Sequence, residues 1–123
     1  LFTDKFKIDR DDRGVIIHLL ENTPINSILL IESRRGSIRA NHWHKKDSHY
    51  CYFLKGSARY YYREVGDTGE PKSRIVRKGE TVYTPPAVEH AMEFLEDSTF
   101  LAFTQIDRSQ SNYEEDIVRV SLI

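Results

Sequence analysis

The chain has 123 residues, with 18 basic and 19 acidic side chains, a formal net charge of −1, and one cysteine. That length suits one domain, and the charge balance argues against a nucleic-acid or membrane surface as the main partner. The lone cysteine rules out an internal disulfide, a zinc ribbon and a CxxC redox motif; such usage fits a reducing, cytoplasmic compartment, and no run approaches the ~20 apolar residues of a membrane helix.

Turn-forming clusters recur along the chain: Asp11-Asp12-Arg13-Gly14, Asn22-Thr23-Pro24, Arg34-Arg35-Gly36, Lys55-Gly56, Gly66-Asp67-Thr68-Gly69, Lys78-Gly79 and Pro85-Pro86. Between them lie short runs rich in Val, Ile, Tyr, Phe and Thr, at 15–20, 27–31, 50–54, 58–63, 74–77, 81–84, 90–95, 99–106 and 117–122. Side chains of these types favour a pleated, half-buried surface. The spacing therefore predicts many short antiparallel strands in an all-β sandwich or barrel. Residues 65–72 read as a solvated hairpin connection, and 109–116 as a polar helical turn of little consequence.

Five histidines punctuate these runs: His18, His42, His44, His49 and His90. His18 stands apart on an early strand and reads as structural. His42 and His44 are one residue apart, so on a strand they share a face about 6.5–7 Å apart along the chain. Ile38 and Ala40 have the same parity, whereas Arg39, Asn41, Trp43 and Lys45 point away. Residues 45–48 are polar and read as a hairpin leading to His49. Cys51 and Phe53 then follow His49 inward, leaving Tyr50 and Tyr52 on the outer face. His90 shares its face with Met92 and Phe94. Each of the four thus continues an apolar inward face, where an unpaired imidazole would be costly. One divalent ion shared by the four would remove that penalty.

The same residues resemble the two signatures of the cupin family. The first is Gly36, His42-Trp43-His44, His49 and Gly56, with His49 standing where cupins usually carry Glu. The second is Gly79, Pro85 and His90, with Ala87 in place of a Gly and Phe94 in place of an Asn. The resemblance implies a single-domain cupin over 1–123, a double-stranded β-helix or jelly-roll barrel. It also implies a divalent metal ion held by His42, His44, His49 and His90. Imidazole-rich sites suit Zn, Fe, Ni or Cu, and the resemblance adds Mn. Four neutral ligands leave the ion's charge uncompensated, which favours an anionic or enolate-like ligand.

The run Arg39-Ala40-Asn41-His42-Trp43-His44-Lys45-Lys46 is similar to cupins of bacterial nucleotide-sugar and polysaccharide biosynthesis, as is the Asp11-Asp12-Arg13-Gly14 opening. This resemblance implies an isomerase or epimerase acting on a nucleotide-linked sugar as its small-molecule partner. Such chemistry needs a base beside a carbonyl and an acid at the enediol oxygen. Without metal, His42 and His44 would take those roles; with metal, Tyr60, Tyr62 and Glu89 are the candidates, each more readily explained as structural. Glu89 has parity opposite to His90 and is expected to face outward. Two other readings stand beside it: a four-His metal-dependent dioxygenase of small organic substrates, and a non-catalytic ligand- or metal-binding cupin. A homodimer through Trp43, Tyr50 and Tyr52 is expected.

Overall fold

Twelve strands and one short helix follow one another in a computed structural model that describes residues 1–107 and 109–123. They are β1 (Phe2–Thr3), β2 (Lys7–Asp11), β3 (Gly14–His18), β4 (Ser27–Ser33), β5 (Ile38–His44), β6 (His49–Lys55), β7 (Ser57–Glu64), β8 (Lys72–Arg77), β9 (Thr81–Thr84), β10 (Val88–Phe94), β11 (Ser98–Thr104), α1 (Gln110–Asp116) and β12 (Ile117–Arg119). Every expected run overlaps a strand, 117–122 only over Ile117–Arg119, and 65–72 joins the antiparallel pair β7 and β8. No helix among the described residues is long and apolar enough to cross a membrane.

The strands form two five-stranded sheets, in the orders β1-β9-β6-β11-β4 and β12-β5-β10-β7-β8, with β2-β3 as a separate hairpin. All pairings are antiparallel. Period-2 alternation sets the inner faces. On β6, Cys51 and Phe53 are buried while Tyr50 and Tyr52 are half-buried; on β11, Phe100 and Ala102 are buried. These residues join Ala58, Tyr60, Val76, Val82, Met92 and Phe94 in one core. Phe53, Phe94 and Phe100 stack at its centre, with ring centroids 5.2 Å apart for Phe53–Phe100 and 5.9 Å for Phe94–Phe100.

Two expectations are corrected here. Residues 45–48 are not a hairpin, because β5 and β6 lie in different sheets; the segment carries the chain from one layer to the other, and Asp47 and Ser48 within it are buried. Nor does the inward face of β5 extend back to Ile38, which is 49% exposed. His90 pairs with His42 but Ala91 pairs with Ala40, so Asn41 is an extra residue. Ala40 and Asn41 both take positive φ, 71° and 54°. The bulge reverses parity at that point. Ile38 therefore faces solvent, and Arg39 bonds to Ser33 Oγ at 2.7 Å and to the carbonyl of Glu32 at 2.9 Å.

Candidate metal centre

Three strands from two sheets bring the four histidines together. β5 supplies His42 and His44, its neighbour β10 supplies His90 opposite His42, and β6 supplies His49 from the facing sheet. The rings form a closed circuit. Centroids are 4.8 Å apart for His42–His44, 5.3 Å for His44–His49, 5.2 Å for His49–His90 and 4.9 Å for His90–His42. Ligand atoms of His42, His44 and His90 lie within 4.8 Å of one another. His49 joins the trio through its Nε2, 3.4 Å from His90 Nε2. All four residues are at most 4% exposed. Tyr60 lies parallel to His90 at 6.2 Å, so the aromatic core forms the floor of the cluster.

The outer nitrogen of each ring has a partner. His44 Nδ1 is 2.9 Å from Asp116 Oδ2, and His90 Nδ1 is 3.0 Å from the carbonyl of Val88. His49 Nδ1 is 3.5 Å from Cys51 Sγ, and His42 Nδ1 is 3.5 Å from the Tyr113 hydroxyl. A carboxylate and a carbonyl only accept, so His44 and His90 carry their proton on Nδ1 and offer Nε2 as a lone pair. Metal-ligating histidines are oriented in this way by outer partners. Two imidazole nitrogens at ~2.0–2.1 Å from a tetrahedral ion lie about 3.3 Å apart, which matches the His49–His90 separation. The residues present therefore fit a divalent cation on both donor type and spacing.

Asp116 is the anchor of the outer ring. Its oxygens also accept the backbone amides of Lys46 at 2.8 Å and Asp47 at 3.3 Å. Burial pushes its carboxyl up, but the hydrogen bonds from His44 and the two amides outweigh burial and hold it below the ordinary carboxylate range. Asp47 in turn accepts the amides of Gln105 and Ile106 at 3.1 Å each. These two buried acids pin both ends of the 105–116 segment, and Tyr113 lies edge-on to His42 and His44. The helical turn expected to be of little consequence thus carries Tyr113 and Asp116 to the site. Neither belongs to a local motif; an acid before the last apolar run was the only available signal.

The other candidates separate clearly. Tyr60 is fully buried, 2.5 Å from Thr84 Oγ1, and burial drives its hydroxyl far above the usual tyrosine range. It is a core residue rather than an acid or base, as is the adjoining half-buried Tyr62, whose ring stacks on it at 5.7 Å. Glu89 is not solvated as its outward parity suggested; it is 8% exposed and ion-paired with Arg63 at 2.7 Å. His18 lies on the separate hairpin, 2.7 Å from Asp9 and 3.4 Å from Glu21, away from the other histidines.

No protein-family model matches the sequence, and no curated protein matches it. Solved structures do. The capsular polysaccharide assembling protein CapF from Staphylococcus aureus is 21% identical at a TM-score of 0.71, over 95% of this chain and 34% of that one. The chain therefore spans about a third of that protein's length. The QdtA 3,4-ketoisomerase from Thermoanaerobacterium thermosaccharolyticum, a double mutant in complex with TDP, is 23% identical at 0.74, over 94% of this chain and 83% of that one. A 3,4-ketoisomerase from Helicobacter canadensis is 18% identical at 0.77, over 96% and 90%. These proteins share the two-layered antiparallel barrel just described, and with both histidine signatures lying on its facing strands, the chain has the cupin fold.

Proposed function

We propose that the chain is an isomerase or epimerase of a nucleotide-linked sugar and that His42, His44, His49 and His90 hold a divalent cation in its barrel. The observation that carries this reading is the closed circuit of four buried imidazoles with their outer nitrogens engaged. The fold supports the substrate class, since 3,4-ketoisomerases share it and one of them is complexed with TDP. A bound divalent ion would supply a Lewis acid for a sugar carbonyl. Asp116 and the Val88 carbonyl hold the protons of His44 and His90 on Nδ1, and the half-buried Tyr113 hydroxyl, 3.5 Å from His42 Nδ1, is a group able to give or take a proton beside the cluster.

A second reading uses the same residues without an ion. A carboxylate behind an imidazole makes a competent general base, so His44 backed by Asp116 would remove the proton beside the carbonyl and His42 would serve the enediol oxygen. The choice between them is tested by elemental mass spectrometry on tag-free protein purified without chelators, with His49→Ala alongside. Near-stoichiometric metal that falls in the variant supports the first reading; no metal, even after reconstitution, leaves the second. Incubation with a nucleotide-linked 4-keto-6-deoxyhexose in D2O tests both, through deuterium uptake next to the carbonyl. Oxygen consumption without such uptake would favour a dioxygenase.

A homodimer belongs to this reading. Trp43, Tyr50 and Tyr52 are only half exposed, with Tyr50 against Tyr83 at 4.5 Å and Tyr52 against Phe6 at 5.8 Å. More open apolar surface lies on β3 and β4, at Val15, Ile16, Ile28 and Leu30. A single-chain mass in sedimentation at all concentrations would contradict a dimer.

A further inference from the structure

The four outer partners are of two chemical kinds. The Asp116 carboxylate and the Val88 carbonyl accept only, so His44 and His90 have one tautomer available, Nδ1–H with a lone pair on Nε2. The Tyr113 hydroxyl and the Cys51 thiol each donate or accept, so His42 and His49 are compatible with either tautomer. We propose that Tyr113 and Cys51 are positioning residues that reverse their hydrogen bonds when the centre takes up a divalent cation, letting His42 and His49 change tautomer while His44 and His90 keep theirs. This rests on the reading that the four histidines hold a cation.

The contact between His49 and His90 shows why a reversal is needed. Their Nε2 atoms are 3.4 Å apart in a site with both residues at most 4% exposed. Because Val88 fixes the proton of His90 on Nδ1, its Nε2 is a lone pair. In the cation-free protein two facing lone pairs would repel, so His49 must place its proton on Nε2 and donate it to His90. His49 Nδ1 then accepts from the Cys51 thiol at 3.5 Å. With a cation bound, His49 Nε2 becomes a ligand and cannot keep that proton. The ring proton moves to Nδ1, and the thiol turns to accept it through sulfur. Each ring holds one proton before and after, so no charge enters or leaves with the rearrangement. His42 is arranged alike, with the Tyr113 hydroxyl at 3.5 Å in place of the thiol. Tyr113 is half-buried on α1, whereas Cys51 is 2% exposed on β6 within the core, so one reversible partner comes from the C-terminal segment and the other from the barrel strands.

Long-range proton–nitrogen correlation spectra of protein labelled with 15N-histidine, recorded without metal and with one equivalent of zinc, test this. The expected result is Nδ1–H for His44 and His90 in both states. His49 shows Nε2–H without zinc and Nδ1–H with it, and His42 is confined to Nδ1–H only with zinc. Tyr113→Phe and Cys51→Ala should each weaken zinc binding about tenfold in a chelator competition, as loss of an outer partner generally does. Cys51→Ser, whose hydroxyl also donates and accepts, should restore it. His49 already Nδ1–H without zinc, or wild-type affinity in both Tyr113→Phe and Cys51→Ala, would overturn the reversal while leaving the cation site standing. Failure of the unaltered protein to take up zinc would overturn both.

Discussion

Asp116 stands 72 residues from His44 in sequence and 2.9 Å from it in space, and this contact helps tie the C-terminal segment to the centre of the barrel. Asp116→Asn keeps an oxygen for the amide of Lys46 but puts an NH2 group in place of the oxygen that His44 Nδ1–H shares with the amide of Asp47. The ring would be driven to the opposite tautomer, with its Nε2 protonated. Metal affinity should fall roughly 10–100-fold, the usual effect of losing such a partner, in a protein whose circular dichroism is unchanged. Competitive chelator titration measures it; an unaltered affinity would mean that His44 is not a ligand.

Ala87 occupies the position where the second signature usually has glycine, and it takes φ +62°. An L residue pays about 1–2 kcal/mol for that conformation, of which glycine's greater unfolded-state entropy offsets roughly half. Ala87 is exposed, and its amide and carbonyl are both bonded, to His44 O at 2.9 Å and from Val65 N at 3.1 Å. Ala87→Gly should therefore stabilise the fold by about 0.5–1 kcal/mol. A denaturant midpoint shifted upward with unchanged slope would confirm it.

Gly56 ends the first signature for a steric reason. It has φ +83°, and a Cβ there would meet the Ser98 hydroxyl, lie 2.6 Å from the Asp97 carbonyl and 2.8 Å from Ser98 Cα. Backbone atoms cannot yield as a flexible side chain does. Gly56→Ala should cost about 2 kcal/mol or more, lowering the melting temperature by roughly 8 °C. Calorimetry showing a shift of only a degree or two would contradict the close packing of the β6–β7 turn against the start of β11.

Burial drives the Tyr60 hydroxyl well above the ordinary value for tyrosine, with its bond to Thr84 opposing the shift and the neighbouring Cys51 and Tyr62 adding to it. A raised folded pKa means that the contribution to stability is intact below the unfolded value of ~10 and is lost as pH rises beyond it, because only the unfolded chain can then ionise. Ultraviolet titration should find that one of the 7 tyrosines does not ionise until the barrel unfolds. Full reversible ionisation of all of them in the folded protein would show that Tyr60 is accessible.

The strands and all four histidines were legible because their signals are local. Alternation with period 2 needs only a few consecutive residues, and the spacings from Gly36 to Gly56 and from Gly79 to His90 each lie within one or two turns of chain. What escaped was non-local or hidden in the backbone. The bulge at Ala40 and Asn41 places two non-glycine residues at positive φ, so no glycine marked it and parity counting carried Ile38 to the wrong face. The polar stretch 45–48 has the composition of a tight turn, yet its acid Asp47 is buried under the amides of Gln105 and Ile106, 58 and 59 residues away. Glu89 faces outward as parity required, but Arg63 on the neighbouring strand covers it.

His49 belongs to one sheet, and His42, His44 and His90 belong to the other. A ligand that engages all four is therefore a calliper across the barrel, and the gap it measures is set beneath it by Phe53 and Phe94, whose rings lie 6.5 Å apart on strands from opposite layers. Were a cation held there, discrimination by ion size would not be a property of the ligating shell alone. It would be adjustable from the core, by side chains that never touch the ion.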